Sequence, residues 1–135
     1  MNSKKRLFRQ FLLIFSVVTM LSACSDGLSK ERHAVRAAAE RCYGYLQKGE
    51  CEKFVDEIAY ADSMPEAYRE QMVVLLQEFV ANQQAQHGGW AFVRAVGDTI
   101  VADQAHVSLQ ICFADNTLEE VGLPMVKVGK HWKMQ

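Results

Sequence analysis

The chain has 135 residues, half of them apolar, with 15 Lys and Arg against 16 Asp and Glu, and four cysteines. That length suits one small domain, but its charge is unevenly placed: Lys4, Lys5, Arg6 and Arg9 all precede the first acid, Asp26. Beyond residue 23 there remain 11 basic and 16 acidic residues, a net charge of −5, which argues against nucleic acid or anionic head groups as partners held by bulk charge.

After the basic start, Phe11 to Leu21 is almost wholly apolar and leads through Ser22-Ala23 into Cys24. A positive start, a short apolar run and small residues at its end are the parts of a secretory signal. A membrane-spanning helix needs about 20 apolar residues, and this run stops short of that, with Asp26 and Lys30 close behind. Leu21-Ser22-Ala23-Cys24 resembles the lipobox of bacterial lipoproteins. The resemblance implies a thioether-linked diacylglycerol on the Cys24 sulfur, cleavage before Cys24, and often a third acyl chain on the new amine. Sulfur is the nucleophile that takes the glyceryl group, so a serine would not serve. One acyl chain anchors only marginally, at about 0.8 kcal/mol per buried methylene, but two or three hold firmly. Ser25 resembles the residue that sorts such lipoproteins to the outer membrane. The expected partition is a signal peptide over 1–23, a lipidated tether over 24–29 and a domain over 30–135. The expected address is the bacterial cell envelope, with the lipid bilayer as a partner through acylated Cys24.

Ser25 to Ser29 reads as a polar tether reaching about 17 Å when extended. Ser29 is a fair helix cap, and Val35, Ala38, Ala39, Cys42, Tyr43 and Leu46 then recur at helical spacing, with Arg32, Arg36, Glu40 and Gln47 largely off that stripe. Lys48-Gly49-Glu50 ends the helix. Cys51 to Tyr60 predicts a short second helix burying Phe54, Val55 and Ile58. Ser63-Met64-Pro65-Glu66 fits a capping box. It opens a third helix with Tyr68, Met72, Leu75, Leu76, Phe79 and Val80 on its inner stripe, stopped by Gly88-Gly89.

From Trp90 the period changes to two. Trp90–Val96 is strand-like, Gly97-Asp98 marks a bulge or turn, and Thr99–Val101 resumes. Next, Ala105, Val107, Leu109, Ile111 and Phe113 face one way, while His106, Ser108, Gln110 and Cys112 face the other. Asp115-Asn116 turns the chain into a third strand, Leu118 to Val128, in which Pro124 demands an edge or a bulge. Trp132 to Met134 is the last strand. Burying both Val128 and Trp132 requires a three-residue Gly129-Lys130-His131 loop, since a two-residue loop puts them on opposite faces.

This order predicts an α+β domain, with N-terminal helices packed on a curved antiparallel sheet of about four strands. Three stretches carry a family resemblance: Ala37–Leu46 with Lys48-Gly49-Glu50, then Asp103-Gln104-Ala105-His106-Val107, and Met125 to Met134. They resemble small nuclear-transport-factor-2-like domains on bacterial lipoproteins, also called lumazine-binding-like, most of them of unknown function. Glu50-Cys51 and Gly129-Lys130 depart from the family's usual turns. The resemblance implies a cone of sheet and helices, often enclosing a cavity in which some members of the superfamily act as isomerases or dehydratases.

Catalysis of that kind needs a carboxylate or histidine in an apolar pocket, and the stripes predicted to face inward carry none. No catalytic residue is therefore assigned. His33, His87, His106 and His131 are scattered, and His106 and Cys112 lie about 20 Å apart along one strand, so no metal site and no cofactor are expected. Export allows disulfides, and Cys42 and Cys51 flank a turn where a bridge could staple two helices; the alternative is small buried apolar residues. Lys127, Lys130, His131 and Lys133 read as a charged hairpin rim that blocks sheet-to-sheet pairing. The expected role is a non-catalytic binding domain, for a small apolar ligand or an envelope protein. A ketosteroid-isomerase-like enzyme is the alternative.

Overall fold

The computed structural model describes residues 27–135. The expected signal peptide and Cys24 lie outside that range. Residues 27–33 belong to one compact unit and are helical; Ala34–Gln135 form another. Helical backbone at 27–29 corrects two expectations, the extended tether up to Ser29 and the cap at Ser29. A cap requires the backbone to leave the helix, and at Ser29 it does not.

In the Ala34–Gln135 unit, helix α1 (residues 34–47) buries Val35, Ala38, Ala39, Cys42 and Leu46, as its spacing predicts. It ends in a left-handed Gly49 (φ +74°), with Glu50 N–H donating to Tyr45 O at 2.8 Å and Gly49 N–H to Leu46 O at 3.0 Å. That bond pair is a Schellman stop. Cys42 and Cys51, for which a bridge was one of two readings, are free thiols here. Each is sunk in the core, Cys42 at 0% and Cys51 at 2% exposure, and each fills space as a small apolar group.

Helix α2 is shorter than predicted, Cys51–Asp56, because 57–59 leave it for the sheet. Met134 N–H donates to Glu57 O (2.9 Å), Ala59 N–H donates to Met134 O (2.8 Å), and Ile58 forms a parallel bridge with Met134. These bonds cover an edge that would otherwise be open. A 3₁₀ turn, Ala61–Ser63, precedes helix α3, Glu66–His87. The capping box is not formed. Pro65 occupies the cap position, and the Ser63 hydroxyl donates instead to Tyr60 O at 3.1 Å. Gly88 (φ +76°) ends α3 where predicted.

Strands β1 (Trp90–Val101), β2 (Gln104–Phe113), β3 (Leu118–Val128) and β4 (His131–Met134) form one antiparallel sheet in the order β1-β2-β3-β4. The inward face of β2 is the predicted one, with Ala105, Val107, Leu109, Ile111 and Phe113 all buried. Strand β1 has register shifts between Trp90 and Phe92 and between Ala95 and Gly97; the second is the predicted bulge, and such bulges bend the sheet. Pro124 takes the predicted edge role: Gln135 N–H donates to its carbonyl (3.1 Å), proline has no N–H to return, and pairing with β4 stops there.

The final hairpin is corrected. Val128 pairs with His131 and Lys127 with Trp132, so the loop is Gly129-Lys130, with Gly129 at φ +63°. Glycine at the first position of a two-residue loop matches strand twist. Val128 faces solvent, while the Lys127 ammonium lies over the buried Trp132 ring, 5.9 Å from its centroid.

Candidate functional site

Polar side chains of α1 hold β1 at its irregular points. Gln47 Nε2 donates to Trp90 O (3.2 Å) and Ala91 O (3.0 Å) at the first register shift. Glu40 Oε1 accepts from Ala95 N–H (2.8 Å) at the second, and Arg36 pairs with Asp98 beyond it. Bulges leave backbone groups unpaired, and here the residues off the apolar stripe satisfy them. The bulges also change which residues face inward. Val93 and Ala95 pair with the buried Ile111 and Leu109, but after the second shift Asp98 and Ile100 pair with the buried Val107 and Ala105. The Asp98 side chain is thus 2% exposed, an inward carboxylate that alternation from Val93 and Ala95 does not anticipate.

At the Trp90 end the inner surfaces do not close. A cavity of about 320 Å³ is lined by Tyr43 and Leu46 of α1, Phe54 of α2, Leu76, Phe79 and Gln83 of α3, Trp90 of β1, Ile111 of β2, and Glu119 and Val121 of β3. Its volume is at the lower end of the range for small-molecule sites. Tyr43 and Trp90 stack at 5.9 Å, Phe54 meets Tyr43 edge-on at 5.8 Å, and Phe79 meets Trp90 edge-on at 6.2 Å. Burial raises the Tyr43 phenol above its ordinary pKa, with Cys42 and then Glu119 adding to the shift.

The cavity explains why α3 departs from its predicted packing. Of its expected inner stripe, Met72, Leu76 and Val80 are half-buried, while Tyr68, Leu75 and Phe79 are 50%, 58% and 42% exposed; only Val73 is buried. The helix stands off the sheet, and its apolar residues border a space that they do not fill.

Glu119 pairs with Ile111 on the inward side of β3 but is itself exposed. Asp98 does not line the cavity. Among the described residues no group of three or more His, Cys, Asp or Glu could hold a metal ion. His106 is exposed on the outer sheet face, its ring close over Gly122, and His87 Nδ1 lies 2.8 Å from Asp115 Oδ2. Within the basic rim, Lys133 Nζ donates to Asp56 O at 3.4 Å. Sequence reasoning named Tyr43, Leu46, Phe54, Leu76 and Phe79 as core, but missed Gln83, Trp90 and Glu119 as lining. Gln83 carried a signal: it falls four residues after Phe79 and seven after Leu76, a polar residue in an apolar helical register.

No protein-family model and no curated protein sequence matches the chain. Solved structures do resemble it. A Campylobacter jejuni protein provisionally described as an NTF2-like transpeptidase aligns at TM-score 0.61 and 15% identity, covering 71% of this chain and 92% of its own. An NTF2-like protein with a cystatin-like fold from Novosphingobium aromaticivorans aligns at TM-score 0.50 and 14% identity, covering 83% and 82%. With its helices followed by a curved four-stranded antiparallel sheet, the chain has the NTF2-like, cystatin-like fold.

Proposed function

We propose that the protein is a bacterial lipoprotein, anchored in the cell envelope through acylated Cys24, whose domain binds a small apolar ligand without transforming it. The observation that carries the ligand-binding reading is the 320 Å³ cavity with its aromatic lining of Tyr43, Phe54, Phe79 and Trp90. The lipobox-like Leu21-Ser22-Ala23-Cys24 carries the anchoring.

The isomerase reading draws support from Glu119 and Tyr43 in the lining. It is weaker because general acid–base work wants a carboxylate desolvated by its pocket. Glu119 is exposed, and the desolvated carboxylate, Asp98, is paired with Arg36 away from the cavity. A transpeptidase activity, as described for the Campylobacter protein, calls for a nucleophile. The lining includes no Ser, Thr or Cys.

The test is extraction of the full-length protein from membranes in detergent, followed by mass spectrometry of small molecules released on denaturation. Wild-type protein is expected to carry a ligand, and Val121→Phe, which fills the cavity, to lose it while retaining its melting temperature. Recovery of nothing from wild type, or equal recovery from the filled variant, would sink the reading. Cys24→Ser separately tests the anchor: no labelled fatty acid should enter that variant.

A further inference from the structure

Glu119 is the one charged residue in the cavity lining, and its position follows from the register of β3. It pairs with buried Ile111, as Val121, Leu123 and Met125 pair with buried Leu109, Val107 and Ala105, so by alternation all four point to the inward side of the sheet. Leu123 and Met125 are buried there, whereas Glu119, near the start of the strand, is exposed. An inward-pointing residue that lines the cavity and is still exposed stands at the cavity's open edge.

Nothing in the lining offsets its charge. No Lys, Arg or His lines the cavity, and among the described residues none forms an ion pair with Glu119. Burial, then Cys42, then Glu119 raise the Tyr43 phenol above its ordinary pKa, so the field of the carboxylate reaches the aromatic wall. That wall is a chain of four rings, Phe54–Tyr43–Trp90–Phe79, with centroids 5.8, 5.9 and 6.2 Å apart.

Aromatic rings attract cations through their quadrupole, and a carboxylate attracts them by its charge, so wall and edge favour the same kind of ligand. A neutral molecule would leave Glu119 unused. An anion would be repelled by it, in a chain that already carries a net charge of −5 beyond residue 23. We infer that the ligand is a small organic cation, an ammonium group on an apolar body, with the body against the aromatic wall and the ammonium beside Glu119. This assignment names a ligand class for the apolar-binding reading proposed above and rests on it.

Three probes of one ring size test it by calorimetric titration of the full-length protein in a non-ionic detergent: 2-naphthylmethylamine, 2-naphthylmethanol and 2-naphthoate. At pH 7 the amine is expected to bind about tenfold more tightly than the alcohol, the scale of a cation–π contact and one exposed ion pair combined, and the naphthoate more weakly than either. Glu119→Gln should bring the amine down to the alcohol's affinity. Glu120→Gln removes the same charge from the next residue, which points to the outer face beside Gln110, and should leave the preference for the amine in place. Equal affinities for amine and alcohol in wild type, or tightest binding of naphthoate, would overturn the cation assignment while leaving apolar binding intact. Equal losses in the two Gln variants would also overturn it, since the preference would then come from net charge and not from the cavity edge. Binding of none of the three would overturn both this assignment and the ligand-binding reading.

Discussion

At the scale of single residues, the three described cysteines differ in what surrounds the sulfur. Burial pushes the Cys42 thiol up to about 12, with Glu57 contributing in the same direction, and burial also raises Cys51. A protonated buried thiol is a poor nucleophile. Iodoacetamide at pH 8 should therefore modify half-buried Cys112 in the native protein and reach Cys42 and Cys51 only after denaturation without reductant. Failure of the last two to react once unfolded would restore the disulfide that the structure leaves open. Asp115 makes the opposite case. Hydrogen bonds from Thr117 first, then from His87, hold its carboxyl down to about 2, against an ordinary 3.8. A depressed acid stabilises the fold above its unfolded pKa and loses that contribution as pH falls through its folded one. The melting temperature of wild type should fall between about pH 4 and pH 2, and Asp115→Asn should flatten that fall.

At the scale of elements, β2 and α1 were legible because each shows its burial pattern without interruption. Every second residue of β2 from Ala105 to Phe113 is buried, and α1 keeps its apolar stripe through Leu46. Strand β1 was legible as a strand but not in its faces, since each bulge slips the alternation by one residue and turns the following side chains over. That slip brings Asp98 inward, against Arg36. A double-mutant cycle on Arg36→Ala and Asp98→Ala should give a coupling of about 1–2 kcal/mol in urea unfolding, within the range for contacting residues and limited because Arg36 remains a third exposed. Coupling near zero would mean that α1 holds β1 through Glu40 and Gln47 alone. Helix α3 was legible in extent but misleading in depth. Its apolar spacing reads as core, but a helical stripe looks the same whether it meets side chains or borders a cavity. With Val73 its one buried residue, against five in α1, α3 should exchange its amide hydrogens well ahead of residues 34–47. Protection equal to α1 would show that something covers α3 in solution.

At the scale of the whole molecule, the cavity lay beyond sequence reasoning because it is a relation among surfaces from six elements. Gln83 and Trp90 are nearly adjacent in the chain, yet the wall they share with Tyr43 and Glu119 exists only once the sheet has bent. The edge bonds at β4 add a constraint of a different kind. Met134 is bonded on its outer side to Glu57 and Ala59, and Trp132 and Met134 are both buried, so residues from the middle of the chain find their partners only in the final strand. A chain cut after Lys130 is expected to lose cooperative unfolding and near-ultraviolet circular dichroism. Translated into order of synthesis, residues 57–59 are made long before the strand that pairs with them, and a nascent chain stalled before His131 should be cleaved by protease around Glu57–Ala59 until β4 has been made and can dock.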